Sequence, residues 1–431
     1  MPEFLTLLPP DEARNLLLSH LIRDQPTIDF ETINVASALG RVLAEDIIAP
    51  HPLPEFQRST VDGYALRARD THGASDSLPA YLNLIGEVPM GDTPAFEIGV
   101  DQCALIHTGG MLPNSADAVV MLEYTQRIAE ARSSRPGQGD PTPTQAEIEI
   151  FRAVADGENV IRVGEDVAQG QVIQAKGSLL RPAEIGGLMA LGITRVNVMR
   201  KIQVGLISTG DEVINPEQSP RPGQVRDVNS YTLAALVEKS GGEAIRYGII
   251  ADQFETLQEA AAEALFHCDI VLITAGSSAS TRDMTADVIR LLGAPGVLVH
   301  GINTRPGKPT ILGICDGKAV IGLPGNPVSA LVNGYLFVVP VMEQLLGALP
   351  KPKPTVLARL TVNLSSQAGR EDWWPVKLIV NQKLEIGNYD ADPIFGKSNL
   401  IFTLAAADGL LRIPPDATGL SADELVEVYL L

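Results

Sequence analysis

Residues 269–293 read DIVLITAGSSASTRDMTADVIRLLG, and this stretch decides the fold that the sequence predicts. An apolar run ends at Ala275, a turn rich in glycine and serine follows, and a helical pattern then extends from Arg282 to Leu292 and stops at Gly293. An apolar run of strand length followed by a helix is typical of the βα units from which parallel sheets are built.

The same alternation continues on both sides of this stretch, from residue 201 to residue 346. The pattern predicts further strands at 203–208 and 243–249, and further helices at 229–239 and 254–266. It therefore favours a doubly wound α/β domain with a parallel sheet and crossover helices. Ligands of such domains bind at the carboxyl ends of the strands, and the loops 209–212, 276–283 and 305–309 each follow a strand.

The segments before residue 201 and after residue 346 have a different pattern of apolar, glycine and proline residues. Residues 10–21 carry apolar positions at helical spacing, and from 51 to 151 short β-like runs alternate with glycine and proline, which predicts an inserted β-rich domain. A Lys/Pro linker at 349–355 precedes short alternating strands that extend to residue 431. These strands predict a small β-barrel or sandwich domain.

Composition excludes several classes of function. The 431 residues carry a net charge of −19, which argues against nucleic acid and against an anionic membrane surface as partners. The three cysteines and six histidines show no metal-ligand spacing, and an odd cysteine count fits a reducing cytoplasm. The apolar run 330–346 is interrupted by Asn333 and Pro340, so it predicts a buried helix and no membrane span.

Two stiff loops lie close together in the sequence. They are RPGKP at 305–309 and LPGNP at 323–327, and each adjoins an apolar run. Proline fixes φ and glycine admits tight turns, so such loops hold their side chains in place. Arg305 and Lys308 on the first loop are therefore candidates for binding a phosphate or another oxyanion.

The turn between the central strand and its helix is a second candidate for anion binding. Gly276, Ser277 and Ser278 offer backbone and hydroxyl donors at a helix N-terminus, Ser280 adds a further hydroxyl, and Asp283 is placed to reach a metal. The alternative is an ordinary strand-to-helix loop with a capping residue. The turn matches neither the P-loop nor the dinucleotide-binding pattern.

Several carboxylates also follow strands or lie in tight turns. Asp211 and Glu212 come directly after the strand at 203–208, where carboxylates can hold Mg²⁺, but a solvated turn explains them equally. Helix capping likewise explains Asp227, and simple turns explain the remaining polar residues of this kind. These remaining residues are Asp62, Thr108, Glu165 and Asp166.

Taken together, seven motifs resemble those of the molybdopterin molybdenumtransferases, the bacterial MoeA proteins that are similar to the E domain of gephyrin. In chain order they are STVDGYA (59–65), HTGGMLP (107–113), RVGEDV (162–167), STGDEV (208–213), RDVNSY (226–231), RPGKP (305–309) and LPGNPVSAL (323–331). The tail motifs GREDWWPV (369–376), SNLIFTLAAADGL (398–410) and ADELVEVYL (422–430) resemble the small C-terminal β-barrel of the same family.

The resemblance implies the last step of molybdenum cofactor assembly, in which adenylated molybdopterin and molybdate react with Mg²⁺ as cofactor, AMP leaves and molybdenum enters the dithiolene. It assigns catalytic roles to Asp62, Thr108, Glu212, Asp283 and Lys308. It assigns substrate binding to Asp166, Gly276, Ser277, Ser278, Ser280, Arg305, Pro324, Asn326 and Pro327. It places the metal on Asp227 and Asp283.

The resemblance also implies four domains and a homodimer. An elongated linker and dimerisation domain is expected at 1–50 and 152–200, the inserted β-rich domain at 51–151, the α/β molybdopterin-binding domain at 201–347 and the β-barrel at 348–431. The site is expected to combine the α/β domain of one subunit with Asp62 and Thr108 of the other. A molybdopterin adenylyltransferase and acceptor molybdoenzymes are implied as further partners.

Two alternatives remain open at this stage. The adenylyltransferase of the same pathway has a single domain that resembles residues 201–346, so the other domains count against it. A non-catalytic molybdopterin carrier or scaffold is the second. The turn 275–280, AGSSAS, favours it, because the family usually has more glycine there.

Overall fold

The computed structural model describes residues 7–23, 29–128, 146–275, 279–381 and 389–431, and within 279–283 the backbone only. The chain divides into two compact units. The first, which we call the main unit, comprises Met1–Glu45, Lys176–Ile185 and Thr194–Leu431, and the second, the insert unit, comprises Asp46–Ala175 and Gly186–Ile193. Gly276, Ser277 and Ser278 lie outside the described residues.

The described elements are as follows in chain order. The helices are α1 (Pro10–Arg23), α2 (Pro182–Ala190), α3 (Asn229–Lys239), α4 (Phe254–His267), α5 (Ala279–Leu292), α6 (Pro327–Asn333), α7 (Val339–Leu345) and α8 (Ile401–Ala405), with a π-helical turn at Gly334–Val338 and 3₁₀ turns at Val35–Ser37, Ala68–Thr71 and Leu122–Tyr124. The strands are β1 (Phe30–Asn34), β2 (Ile47–Ile48), β3 (Arg58–Ser59), β4 (Gly63–Leu66), β5 (Ala80–Val88), β6 (Gln102–Ile106), β7 (Ala118–Met121), β8 (Thr125–Ile128), β9 (Glu147–Ile150), β10 (Val160–Ile161), β11 (Val172–Gln174), β12 (Arg195–Met199), β13 (Ile202–Thr209), β14 (Val213–Ile214), β15 (Val225–Arg226), β16 (Gly242–Ile250), β17 (Ile270–Ala275), β18 (Pro295–His300), β19 (Thr304–Arg305), β20 (Ile311–Cys315), β21 (Lys318–Pro324), β22 (Thr355–Leu360), β23 (Leu364–Ser365), β24 (Glu371–Val380), β25 (Tyr389–Pro393), β26 (Gly409–Ile413), β27 (Gly419–Leu420) and β28 (Leu425–Leu430).

The α/β part of the main unit is built on a six-stranded sheet in the order β16-β13-β17-β21-β20-β18. The first four strands are mutually parallel, as the alternating pattern predicts. The expectation of a wholly parallel sheet is wrong at one edge, because β20 is antiparallel to both β21 and β18. The sheet carries helices on both faces: α1, α3, α6 and α7 pack against one hydrophobic cluster, and α4 and α5 against the other.

A two-residue turn causes this departure from the parallel arrangement. Cys315 pairs with Lys318, so the turn between β20 and β21 consists of Asp316 and Gly317. Both residues have positive φ, 49° and 82°, as a type I′ hairpin turn requires. The Asp-Gly pair between two apolar runs is a sequence signal for this hairpin, and our prediction did not use it.

The predicted buried helix at 330–346 is confirmed as a continuous helical segment that contains a π-helical turn in its middle. Within the described residues, this segment, Pro327–Leu345, is long and apolar enough to span a membrane by length and composition alone, with a mean hydropathy of 1.4. However, 67% of it is buried inside the fold. Phe337 and Val338 belong to the main hydrophobic cluster, as expected for a core helix.

The C-terminal segment forms a closed barrel, which decides between the two architectures predicted for it. Five strands follow one another in the order β24-β25-β22-β28-β26, and β26 pairs with β24 to close the ring. The short strand β19 of the α/β part pairs in parallel with β24, with Thr304 opposite Glu371 and Arg305 opposite Asp372. This pairing joins the RPGKP loop directly to the barrel.

The insert unit contains a second six-stranded sheet, in the order β7-β4-β6-β5-β9-β8. Buried side chains from these strands form its core, among them Leu66, Leu82 and Ile148. Two smaller two-stranded sheets, β10-β3 and β11-β2, belong to the same unit. In the main unit, β1 pairs with β12 outside the large sheet. The four predicted domain boundaries stay a prediction.

Candidate functional site

A cavity with a volume of about 690 Å³ lies between the α/β part and the barrel of the main unit. We call it the basic cavity, because the described residues that line it include four cationic side chains and no acidic ones. The lining residues are Thr304, Arg305, Pro306, Gly307, Lys308, Pro309, Pro324, Asn326, Val328, Ser329, Arg370, Trp373, Trp374, Pro375, Ile394, Gly396, Lys397, Ser398, Asn399 and Thr403. Such a volume accommodates a small-molecule ligand.

The RPGKP loop enters this cavity and is fixed from behind by buried polar groups. Asn333, which is fully buried, donates from Nδ2 to the carbonyl oxygen of Pro306 at 3.3 Å. Thr310 donates from its hydroxyl to the carbonyl oxygen of Gly307 at 2.8 Å. Gly307 has a φ of +109°, and a Cβ there would lie 1.6 Å from Asn333 Nδ2, so only glycine fits. Lys308 itself is exposed to the cavity.

The barrel supplies about half of the lining, including two further cations. Arg370 precedes β24, and its guanidinium forms two hydrogen bonds with the buried carboxylate of Asp372, at 2.6 and 3.0 Å. Lys397 and Ser398 lie in the segment between β25 and α8. We did not predict these residues. They lie within or beside the tail motifs, and only the chain fold brings them next to Lys308.

The LPGNP loop forms the wall between the basic cavity and a neighbouring one. Pro324 ends β21, and Asn326 donates from Nδ2 to the hydroxyl of Ser398 at 3.1 Å. The amide of Val328 donates to the carbonyl oxygen of Ser398 at 3.0 Å. Pro324 and Asn326 line the basic cavity, whereas Pro327 lines the second cavity, to which Asn326 also contributes. The predicted role of this loop beside an oxyanion pocket stays a prediction.

The second cavity, about 490 Å³, lies at the carboxyl ends of β13 and β17, and we call it the strand-end cavity. Glu212 and Asp227 contribute its carboxylates, and Ser208, Thr209 and Thr274 its hydroxyls. Asn326 and Asn399 line both cavities. Parallel strands end at one edge of a sheet, which explains why residues far apart in the sequence meet here.

Asp227 is largely buried and has three hydrogen-bond donors around its carboxylate. Ser208 and Ser230 donate from their hydroxyls to Oδ2 at 2.8 and 2.6 Å, and the amide of Ser230 donates to Oδ1 at 3.1 Å. The amide bond satisfies the first turn of α3, so the capping interpretation of this residue is correct as far as it goes. Because a carboxylate offers about four lone-pair sites, it retains capacity for one further partner.

Asp252 is an acidic residue beside this cavity that we did not predict. It follows β16, and its amide donates to Asp211 Oδ1 at 3.2 Å. Burial raises the pKa of Asp252 above its ordinary value, and the charges of Asp211 and Glu212 raise it further. The sequence contained a signal for Asp252, because it is a carboxylate that follows a strand of the same sheet. The same reasoning selected Asp211 and Glu212.

The site residues predicted in the insert unit form a separate group. Asp62 Oδ1 accepts hydrogen bonds from the amide and the hydroxyl of Thr108, at 2.8 and 3.2 Å. His107 lies within 3.8 Å of Asp62 and 2.9 Å of Glu87. Asp62 and Thr108 are thus brought together, and their catalytic role stays a prediction. Asp166 is exposed in the same unit, and its amide donates to the carbonyl oxygen of Leu53.

Other predicted residues lie outside what the structure describes. These are Gly276, Ser277 and Ser278, together with the side chains of Ser280 and Asp283. Within the described residues, no group of three or more His, Cys, Asp or Glu side chains is arranged to hold a metal ion on its own.

Comparison with known proteins gives the family. Three family profiles match in succession: the MoeA N-terminal region (domain I and II) at 8–192, a molybdopterin binding domain at 205–344 and the MoeA C-terminal region (domain IV) at 357–431. The molybdopterin molybdenumtransferase of Haemophilus influenzae is 31% identical, with 98% of each chain covered, and that of Bacillus subtilis is 30% identical, with 100% of this chain and 96% of the relative covered.

A solved structure agrees with these sequences. The molybdopterin biosynthesis MoeA protein from Pyrococcus horikoshii is 34% identical, with 99% of this chain and 100% of that chain covered and a TM-score of 0.81. The chain belongs to the MoeA family of molybdenum cofactor biosynthesis, and its fold is the multidomain MoeA fold. The resemblance inferred from the motifs is thereby confirmed.

Proposed function

We propose that this protein transfers molybdenum from molybdate into adenylated molybdopterin and releases AMP. In the balanced reaction, two dithiolene thiols bind molybdenum while one molybdate oxygen leaves as water, and one water cleaves the phosphoanhydride. The observation that carries the proposal is the basic cavity, where Arg305, Lys308, Arg370 and Lys397 meet and none of the other described lining residues is acidic. In a chain with a net charge of −19, such a concentration of cations points to an anionic substrate.

We assign molybdate to the basic cavity on chemical grounds. Arginine presents a planar fork of donors that matches an oxyanion, and lysine adds a compact charge. The hydroxyls of Ser329 and Ser398 supply neutral donors in the same lining. The stiff loops on either side hold these groups in place before the ligand arrives, which reduces the entropy lost on binding.

The strand-end cavity fits Mg²⁺ and the phosphoanhydride of the adenylated substrate. Mg²⁺ in nucleotide sites is usually held by one or two carboxylates together with substrate phosphates, so a cavity with Glu212 and Asp227 suffices as its protein part. When bound, the metal neutralises charge on the bridging phosphates. Glu212 and Asp227 would hold it from this side of the cavity, and the resemblance adds Asp283.

The protein's own residues then divide the remaining tasks. Thr209 and Thr274 offer hydroxyl donors to phosphate oxygens at the strand ends. Asn326 lies between the two cavities, and its amide is oriented by the hydrogen bond to Ser398. We place molybdate and phosphoanhydride on the two sides of this residue, since both cavities share it.

We further propose a cytoplasmic homodimer in which Asp62 and Thr108 of one subunit act on the α/β part of the other. The hydrogen-bonded pair of Asp62 and Thr108 is exposed and is therefore accessible to a neighbouring subunit. The upstream adenylyltransferase and the acceptor molybdoenzymes are proposed as transient partners. A single-domain adenylyltransferase function is disfavoured, because the barrel contributes half of the basic cavity.

AMP release tests the proposal. Purified protein is incubated with adenylated molybdopterin, Mg²⁺ and molybdate, and AMP is followed by chromatography for the wild type, Lys308→Ala and Lys377→Ala. Lys377 is an exposed lysine of β24 that does not line the cavity, so it serves as the matched control. We expect molybdate-dependent release that falls at least ~10-fold in Lys308→Ala, as for loss of one charged substrate contact.

Two results contradict the proposal. If the wild type binds the adenylated substrate but releases no AMP, the carrier function replaces the transferase. If Lys308→Ala and Lys377→Ala lower the rate equally, the basic cavity is not the place of molybdate binding.

A further inference from the structure

Two of the four cations in the basic cavity share one buried carboxylate. Asp372 is 0% exposed, and the guanidinium of Arg370 binds it through Nε and Nη2 at 2.6 and 3.0 Å. Arg305 Nη1 lies 3.8 Å from the same carboxylate, at Oδ2. Asp372 does not belong to the cavity lining, whereas both arginines do.

We propose that Asp372 is a positioning residue that fixes the spacing and orientation of Arg305 and Arg370, and thereby makes the basic cavity selective for the size of a tetrahedral oxyanion. This inference rests on the proposed assignment of molybdate to the basic cavity. Asp372 would not touch the substrate itself. It would act through Arg305 and Arg370, which line the cavity.

The two arginines need such a partner for a physical reason. Their guanidinium groups have like charge, and each long side chain loses considerable rotamer freedom when it is held in one position. A carboxylate buried from water is costly unless cations surround it, so Asp372 keeps the arginines close even without a ligand. Arg370 is held by two bonds in its plane, which fixes its orientation as well as its distance.

Arg305 is the more exposed of the two, with 56% of its side chain accessible against 25% for Arg370. Two contacts restrict it. The pairing of β19 with β24 places its backbone opposite that of Asp372, and its guanidinium lies 5.3 Å from the ring centroid of Trp374. Trp374 therefore supports one face of the guanidinium while the carboxylate attracts one edge. Lysine would offer both groups only a compact charge, without the planar stacking and the forked donors of a guanidinium.

The neighbouring residue on the same strand provides a matched control. Glu371 is 2% exposed and binds Arg412 Nη2 at 2.6 Å and Trp373 Nε1 at 2.7 Å. Adjacent residues of a strand point to opposite faces, so Glu371 serves a different arginine from Asp372. Both substitutions remove a buried carboxylate from β24, but only one affects the arginines of the cavity. Trp373 lines the cavity, so glutamine is the substitution at Glu371, since its side-chain oxygen can still accept the hydrogen bond from Trp373 Nε1.

Titration calorimetry with molybdate and with sulfate tests the inference on the full-length protein. Sulfate has the same charge and shape as molybdate but is smaller, so the ratio of the two dissociation constants reports on the spacing of the arginines. The proteins are the wild type, Asp372→Asn, Arg370→Lys and Glu371→Gln, each with a melting temperature. Arg370→Lys keeps the positive charge but loses the two hydrogen bonds to Asp372. If Asp372→Asn does not fold, the affinities of Arg370→Lys test the role of Asp372 instead.

We expect Asp372→Asn to weaken molybdate binding at least ~10-fold and to lower the preference for molybdate over sulfate. Arg370→Lys should show the same changes, and Glu371→Gln should lower the melting temperature while keeping the wild-type affinities. A general loss of stability would reduce both affinities alike and leave their ratio unchanged.

The outcomes separate the two levels of inference. If the wild type shows no saturable molybdate binding, the assignment of molybdate to this cavity fails, and the role of Asp372 with it. If the wild type binds molybdate but Asp372→Asn or the folded Arg370→Lys stays within twofold of it in affinity and ratio, the role of Asp372 alone is refuted.

Discussion

At the scale of single residues, the strand-end cavity brings carboxylates close enough to affect one another. Asp252 shows this most clearly, because burial and the charges of Asp211 and Glu212 all raise its pKa, against a smaller opposing effect of a hydrogen bond with Thr209. A folded protein that holds a proton more tightly than the unfolded chain gains stability at acidic pH and loses it as the pH rises. The local crowding of acids is thus a cost to the stability of the fold.

Substitution of Asp252 by asparagine should remove this cost. The unfolded aspartate titrates near a pKa of about 3.9, and the folded one titrates higher, so the wild type loses stability between these two values. We expect Asp252→Asn to have a higher melting temperature than the wild type at pH 7 and a smaller difference at pH 4. Thermal unfolding followed by circular dichroism between pH 4 and pH 7 measures the difference in melting temperature between Asp252→Asn and the wild type. The exposed Glu259→Gln serves as a control. A difference that is constant with pH contradicts the argument.

At the scale of elements, the site depends on how loops are anchored to helices and strands. The helical segment 327–345 lies behind the RPGKP loop, and Asn333 on it donates from Nδ2 to the carbonyl oxygen of Pro306 in that loop. The same Nδ2 also donates to the carbonyl oxygen of Ser329, one turn earlier in its own helix. The π-helical turn begins at the next residue, Gly334. π-helical turns are frequent near functional sites, and here one follows the residue that contacts the loop.

The contact between this helical segment and the loop predicts the effect of Gly307→Ala. The new methyl group would lie 1.6 Å from Asn333 Nδ2, and φ at this position is +109°, so both packing and backbone oppose it. We expect a loss of about 1–3 kcal/mol in the free energy of unfolding together with weaker molybdate binding. Chemical denaturation and calorimetry measure the two effects.

Gly347→Ala is the control for Gly307→Ala, since Gly347 also has positive φ, +60°, but open space around its Cβ position. It should cost stability through the backbone alone and leave molybdate binding unchanged. If Gly307→Ala binds molybdate as the wild type does, the anchoring of the loop by Asn333 does not set the cavity.

At the scale of the whole molecule, the predicted site residues fall into two groups. Lys308, Glu212 and Asp227 belong to the main unit, and Asp62 and Thr108 to the insert unit. The proposed homodimer would join the two groups across subunits, and this proposal can be tested without a structure of the dimer.

Mixing two inactive variants tests the shared site. If sites form between subunits, Asp62→Asn and Lys308→Ala chains refolded together give heterodimers with one intact site, and about a quarter of the wild-type activity should return. Each variant refolded alone provides the baseline. If the mixture stays at that baseline while heterodimers are present, each site is made within one chain.

The sequence by itself determined the elements and the family. The parallel strands β13, β16 and β17 and the helices α3 and α4 follow from periodicity, because burial of one face imposes a repeat that local residues display. The motifs likewise predicted Lys308, Arg305 and Glu212 as site residues, and Glu212 follows a strand of the parallel sheet, where strand ends meet at one edge. The antiparallel edge of the sheet was also encoded locally, in the pair Asp316 and Gly317, but we overlooked it.

Only the tertiary structure decided how the barrel completes the basic cavity. Arg305 and Asp372 are opposite one another because β19 pairs with β24, and the chain between these strands is far too long for any local pattern to specify that register. The same holds for Asn333 behind Gly307 and for Ser398 beside Asn326. Local propensities fix how a segment folds, whereas contacts between distant segments depend on shape and burial in the whole molecule, which the order of residues alone does not display.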